Sequence, residues 1–347
     1  MTPLSALNLA VVGLGRMGKL YAQTVATTVV GANLYAVADP DPAAVAAIRD
    51  QYHVPITAAD ARDLFTRPDL HAVLIATPTS THADLVIAAA QAGKAIFSEK
   101  PLALTIPETR ATIAAVERAG VPLQVGFNRR YDAAYLKARA FIDEGRIGRP
   151  VTIKSVGRDP FCPRVEFADP ARSGGLIIDM GIHDFDLARW LVGDEVERVS
   201  TEGTLMVCET LKEVGDIDNA VVNLRYHGGA IGNVEVSRNA FYGYDIRTEV
   251  LGSEGAVTIG GYQHTPVLLL TREGAQHDVV PYLMERFGDA YRAQIQDFVD
   301  RLRRAELPAV GGADALAALE IGVAATESLK TGQPVALAGL EDLDAVS

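Results

Sequence analysis

The sequence predicts an α/β chain: an N-terminal doubly wound, parallel-sheet domain over residues 1–126, then an α+β domain over 127–347 containing a large open, mainly antiparallel sheet. Three observations carry this expectation. Up to Gly126 short apolar runs alternate with longer segments of helical period, the pattern of a parallel sheet with crossover helices. Beyond it, β-like runs follow one another, several parted by glycine turns such as His227-Gly228-Gly229 and Gly252-Ser253-Glu254-Gly255. A chain of 347 residues that is 48% hydrophobic also exceeds the size at which a single core keeps growing.

In chain order, strands are expected at 9–12, 34–38, 72–75, 95–98 and 123–125. Helical stretches lie between them, as at 84–92, where Leu85, Ala88, Ala89 and Ala92 recur at three- and four-residue steps. The second domain begins with a helix near 132–143, a strand near 151–156 and one helix over 175–192. Strands follow at 220–226, 231–237, 247–251, 256–259 and 267–270, and helices at 289–304 and 313–331 close the chain.

Composition narrows the function classes. The net charge of −12 is spread without like-charge blocks, which argues against a nucleic-acid surface. Apolar runs stop well short of the ~20 residues a membrane span requires. Residues 1–7 lack the features of a secretory leader, so a cytoplasmic protein is expected. Cys162 and Cys208 have neither metal-ligand nor Cys-x-x-Cys spacing and are expected to be ordinary thiols.

The first chemical motif is Gly13-Leu14-Gly15-Arg16-Met17-Gly18, which ends one expected strand and opens a helix. In that context Gly13 permits a tight turn, Gly15 lets backbone approach a pyrophosphate and Gly18 lets the helix sit close on the sheet. Free N–H groups at the helix start would face phosphates. Asp39 stands twenty-one residues beyond Gly18 at the end of the second strand. A carboxylate there accepts from the adenosine ribose and repels a 2′-phosphate, so a Rossmann domain binding NAD rather than NADP is expected. The plainer reading of Asp39 is that it starts the Asp39-Pro40-Asp41-Pro42 turn, with Asp41 capping the next helix.

With these residues in view, the chain resembles, over nearly its whole length, the oxidoreductases named after glucose-fructose oxidoreductase, inositol dehydrogenase and rhizopine catabolism. Ala76-Thr77-Pro78-Thr79-Ser80-Thr81-His82 resembles the family loop along the nicotinamide half of the cofactor, which implicates Thr77, Pro78, Thr79 and His82. Glu99-Lys100-Pro101 resembles the family's Glu-Lys-Pro signature, whose lysine reaches the substrate hydroxyl and whose lysine–proline bond is commonly cis.

A second cluster lies in Gly174-Gly175-Leu176-Ile177-Ile178-Asp179-Met180-Gly181-Ile182-His183-Asp184-Phe185-Asp186. On a helix Asp179 and His183 are four apart and Asp186 three further, so they share one face. Spacing alone leaves three readings open: a helical ion pair, the start of a metal-ligand set, or a histidine base with a carboxylate beside it. The resemblance implies the last, because the inositol dehydrogenase branch carries Asp-x-x-x-His here and joins it to the Glu-Lys-Pro lysine. Asp179, His183 and Lys100 match those catalytic positions, and no metal is implied.

Substrate contacts are implied by the same resemblance. The segment 126–132 matches the family segment lining the substrate, which implicates Asn128 and Arg129. Segments 157–160 and 238–245 implicate Arg158, Asp159 and Tyr244, with Gly157 where some relatives carry histidine. The expected activity is NAD-dependent oxidation of a secondary hydroxyl of a cyclic polyol or sugar, myo- or scyllo-inositol foremost. A pyranose dehydrogenase, a glycosidase using NAD transiently and a non-catalytic sensor are the competing readings. A homo-oligomer, tetramer or dimer, is expected, because a large open sheet face needs cover.

Overall fold

The computed structural model describes residues 6–340; residues 1–5 of the stretch without leader features lie outside the described residues. The chain through Asn128 together with Tyr291–Leu316 makes one compact unit, and Arg129–Ala290 with the chain from Ala317 makes the other. Tyr291–Leu316, expected within the second domain, packs with the first unit. The reason is packing: Ile295, Phe298 and Val299 share one apolar cluster with Leu9, Val11, Tyr21 and Phe97.

The first unit holds a parallel sheet of β1 (Leu7–Val12), β2 (Ala32–Ala38), β3 (Ile56–Ala58), β4 (Ala72–Ile75), β5 (Ala95–Ser98) and β6 (Leu123–Val125). Their order is β3-β2-β1-β4-β5-β6, so the winding reverses between β1 and β4. Both β4 and β5 are buried at every position, which is why they read as unbroken apolar runs. Helix ends follow local chemistry. Asp41 caps Pro42–Tyr52 by accepting from the Ala43 N–H at 2.9 Å, and Thr105 caps Ile106–Ala119 through the Glu108 N–H.

The second unit is built on a seven-stranded sheet of β7 (Pro150–Arg158), β8 (Val196–Thr204), β9 (Asn219–Tyr226), β10 (Ile231–Ser237), β11 (Asp245–Gly252), β12 (Ala256–Ile259) and β15 (Val335–Ala336). Its order is β12-β11-β7-β10-β9-β8-β15. Only β10 and β7 pair in parallel, so the sheet is mixed but mainly antiparallel. The run near 267–270 becomes β13 (Leu269–Thr271), which pairs with β14 (Gly274–Gln276) in a separate hairpin.

The expected helix over 175–192 is instead Gly175–Asp179 and Gly181–Val192, joined at Met180. The Met180 N–H donates to the Leu176 carbonyl at 3.1 Å and closes the first helix. These helices pack on β7, β9 and β10. On the opposite sheet face Val221, Ile231 and Leu251 are exposed.

The two cysteines are not thiols. Cys162 and Cys208 form a disulfide with Sγ atoms 2.03 Å apart. They stand 46 residues apart in sequence, so local spacing carries no sign of the pairing; it arises where Ala168, Leu211 and Leu205 pack around both. Among the described residues no helix is long and apolar enough to cross a membrane.

Candidate active site

In the first unit, four expected elements meet at the carboxyl ends of parallel strands, where open α/β sheets bind ligands. Gly13 follows β1 with φ +83°, and a Cβ built there would lie 2.8 Å from the Ala76 carbonyl and from Thr77. A Cβ on Gly18 would lie 1.7 Å from the Gly13 oxygen, so close helix–sheet contact excludes any side chain. Around Gly15 the opposite holds: it is exposed, and an added Cβ would meet nothing within 4 Å. Bare backbone at the start of the helix Arg16–Thr27 suits the close approach of a pyrophosphate, and the residues present therefore fit a dinucleotide.

Asp39 caps this arrangement from β2. Its Oδ2 accepts from the Leu14 N–H at 2.6 Å and its Oδ1 from the Asp41 N–H at 2.8 Å. Each oxygen retains a second lone pair for a ribose hydroxyl. Arg16 is exposed and Met17 partly buried beside it.

The loop after β4 is braced internally. The Thr81 hydroxyl donates to Thr77 Oγ1 at 2.7 Å, and Thr79–Thr81 forms a 3-10 turn after Pro78. His82, although grouped with the cofactor-binding residues by resemblance, is 1% exposed. Its Nε2 faces the Thr77 carbonyl at 2.8 Å and its Nδ1 the Pro101 carbonyl at 2.7 Å. The ring thus ties the loop after β4 to the loop after β5, and burial pushes its pKa down.

After β5, the Lys100–Pro101 bond is cis. Glu99 accepts from the Tyr21 hydroxyl and, at 3.3 Å, from the Lys100 N–H. Burial raises the Glu99 pKa, with the Tyr21 hydrogen bond and Lys100 pulling it back. A Cβ on Gly126 would sit 3.1 Å from Glu99 Oε2, so the glycine after β6 makes room for that carboxylate. Asn128 is buried, and its Nδ2 has no hydrogen-bond partner among the described residues.

In the second unit, Asp179 ends one helix and His183 lies in the first turn of the next; the Asp179 side chain is 41% exposed and His183 half-buried. Asp186, expected on their face, is instead buried with Arg130 in a two-pronged ion pair at 2.5 and 2.8 Å. No group of three or more His, Cys, Asp or Glu able to hold a metal occurs among the described residues.

Arg129 is likewise an internal partner rather than a presented cation. Its Nη1 donates to Asp184 Oδ1 at 2.7 Å, and its guanidinium lies over the Phe287 ring. Asp184 also accepts from the Ser155 hydroxyl at 2.7 Å, and Thr248 and Tyr135 extend the chain. Such a buried network fixes its members because an unmade bond there is costly. Gly157 belongs to it by default: a Cβ there would stand 2.8 Å from Asp184 Oδ2. Tyr244 packs edge-on to Phe287 and Tyr282. Burial raises its phenol pKa, opposed by Arg129 and helped by Asp159 and Asp184, which puts all four groups in one neighbourhood.

Arg158 does not join them. Strand alternation turns it to the face opposite Ser155 and Gly157, where it pairs with Glu235 at 2.6 Å and donates to the Tyr242 hydroxyl at 2.9 Å. Asp159, one residue on, leaves that face and joins the Tyr244 group. Arg158 and Asp159, both implicated in substrate binding by the resemblance, therefore leave the strand toward different partners.

Sequence reasoning missed Tyr21, Asp184, Asp216 and Arg238. Asp184 adjoins His183 and Arg238 falls in a quoted segment, so position hinted at both; nothing local marks Tyr21 or Asp216.

The chain matches an oxidoreductase family model in two parts, the NAD-binding Rossmann fold at residues 7–127 and the C-terminal alpha/beta domain at residues 139–337. It is 41% identical over 328 residues to the scyllo-inositol 2-dehydrogenase (NAD(+)) of Bacillus subtilis, covering 94% of this chain and 95% of that protein. With the myo-inositol 2-dehydrogenase of Thermotoga maritima it shares 37% over 332 residues, 95% of this chain and 98% of the other. The solved structure of scyllo-inositol dehydrogenase from Lactobacillus casei with bound NAD(H) and scyllo-inositol superposes with a TM-score of 0.92 at 29% identity, over 96% of this chain and 100% of that one.

Proposed function

Since the chain belongs to the Gfo/Idh/MocA oxidoreductase family, whose NAD-binding Rossmann fold is its first unit, we propose that it oxidises a secondary hydroxyl of myo- or scyllo-inositol to the inosose. The observation that carries the reading is that Asp179 closes one helix and His183 stands in the first turn of the next, with Met180 alone as the joint between the two helices. Kinship with two inositol dehydrogenases at 41% and 37% identity supports the substrate class.

When bound, the nicotinamide supplies the acceptor for the hydride that leaves the substrate carbon. Gly13, Gly15, Arg16, Met17 and Gly18 would hold the pyrophosphate, Asp39 the adenosine ribose, and Thr77, Pro78, Thr79 and Glu99 would border the nicotinamide half. Lys100 donates to the substrate oxygen and stabilises the negative charge that grows there. His183 accepts the hydroxyl proton as the carbonyl forms. Asp179 orients the imidazole and stabilises its cation. Asn128, whose buried Nδ2 has no hydrogen-bond partner among the described residues, and Asp159 and Tyr244 would bind neighbouring hydroxyls, each of which both donates and accepts.

A second copy of the chain is the proposed cover for the open sheet face around Val221, Ile231 and Leu251. Use of NAD as a dissociable co-substrate supports a cytoplasmic setting; the Cys162–Cys208 bond is the feature set against it.

The assignment of Lys100 and His183 is tested by separating turnover from cofactor binding. Lys100→Met and His183→Ala should each lower kcat with inositol by roughly a hundredfold or more, while NAD titrated by fluorescence binds as in the wild type. Near-normal turnover in either variant removes that residue from the mechanism.

A further inference from the structure

Arg238 follows β10 with its side chain 3% exposed. Its Nη1 donates to Asp216 Oδ2 at 2.6 Å, and its Nη2 to Asp179 Oδ2 at 3.4 Å. Asp216 in turn accepts from the Leu176 N–H, at 3.1 and 3.2 Å to its two oxygens. One carboxylate therefore holds the first turn of Gly175–Asp179, and the guanidinium it fixes reaches the last residue of the same short helix. Gly175 admits Asp216 at this point: its φ is +70°, and an added Cβ would lie 2.7 Å from Asp216 Oδ1. The segment carrying Asp216 is itself held, because the Asp218 carboxylate accepts from the N–H groups of Met206, Val207 and Cys208.

We propose that Arg238, locked by Asp216, is a positioning residue for Asp179, fixing the direction in which that carboxylate faces His183. The inference rests on the dehydrogenase reading above. The Asp179 side chain is 41% exposed, and holding a side chain in one rotamer costs conformational entropy that a fixed partner offsets. A planar guanidinium can bridge two carboxylates in one fixed geometry, whereas an ammonium keeps the charge but not the fork. Arg238 acts through Asp179 and carries no proton in the reaction.

The test is a double-mutant cycle in the full chain with saturating NAD and whichever inositol the wild type turns over faster. Arg238→Lys should lower kcat on the order of tenfold with the KM for NAD unchanged and the thermal midpoint near that of the wild type. In an Asp179→Asn background the same change should lower kcat by less than about twofold, because the group it positions is gone. Asp216→Asn, which loosens Arg238 without removing it, should repeat the pattern and serves where Arg238→Lys folds poorly. Equal losses in both backgrounds, or no loss in the wild type, would overturn the inference while leaving the catalytic helix in place. Wild-type turnover in Asp179→Asn alone would overturn the assignment of that helix, and the inference with it.

Discussion

At the scale of a single residue, His82 shows how a binding-loop histidine can serve by holding backbone. A neutral imidazole has one N–H, yet both ring nitrogens face carbonyl oxygens, those of Thr77 and Pro101. Burial disfavours the charged ring more than the two carbonyls favour it, and Lys100 adds to the depression. With the folded pKa below the unfolded value, the unfolded chain takes up a proton that the folded ring resists. Stability from the neutral ring is then fully present above the ordinary value of 6.5 and is lost as pH falls through the folded pKa. His82→Gln should cost about 1–2 kcal/mol at pH 8, and the gap between the two proteins should shrink as pH drops below 6.5. Thermal midpoints across pH 8 to 5 check this, and a constant gap would remove the protonation argument. The sequence placed His82 in the correct loop, but nothing in seven consecutive residues tells whether a ring turns toward a ligand or toward its own backbone.

At the scale of the element, the strand–turn–helix at β1 sets its two outer glycines and its middle one to different tasks. Gly15→Ala meets open space, so the fold should keep its thermal midpoint while NAD binding weakens on the order of tenfold, ~1.4 kcal/mol. Gly18→Ala would drive a methyl into the Gly13 carbonyl, so it should lower the midpoint and cofactor binding together. Calorimetry and NAD titration on the two variants distinguish these outcomes; equal loss of stability in both would contradict the division of roles. This motif was legible because its signals are local: an apolar run, three glycines and a helix start. β8 was not legible, since only Val196, Val199 and Thr201 of its nine residues are buried. The disulfide was hidden for the same reason, its partners meeting only through tertiary packing. Denatured without reductant, the protein should titrate no free thiol, and reduction should lower stability by about 2–4 kcal/mol. Two titratable thiols in the unreduced protein would contradict the pairing.

At the scale of the whole molecule, two sheets of different construction carry different parts of the proposed chemistry. The parallel sheet places Gly13, Asp39, Thr77 and Lys100 at strand ends, while the mixed sheet backs the two helices of Asp179 and His183 with buried pairs, Arg129–Asp184 and Arg238–Asp216. The order of elements and the residues at strand ends could be read from periodicity and motif. The buried pairs could not, since each joins residues tens of positions apart and either partner alone resembles a surface charge. Return of Tyr291–Leu316 to the first unit was equally silent, because an amphipathic helix does not declare which core it will join. The reduction of NAD by the wild-type protein, followed by absorbance with myo-inositol, scyllo-inositol, glucose and lactate in turn, tests the central claim most directly. One of the two inositols should give the highest kcat/KM. Lactate ahead of every cyclic polyol, or no reduction with any of the four, would contradict the account.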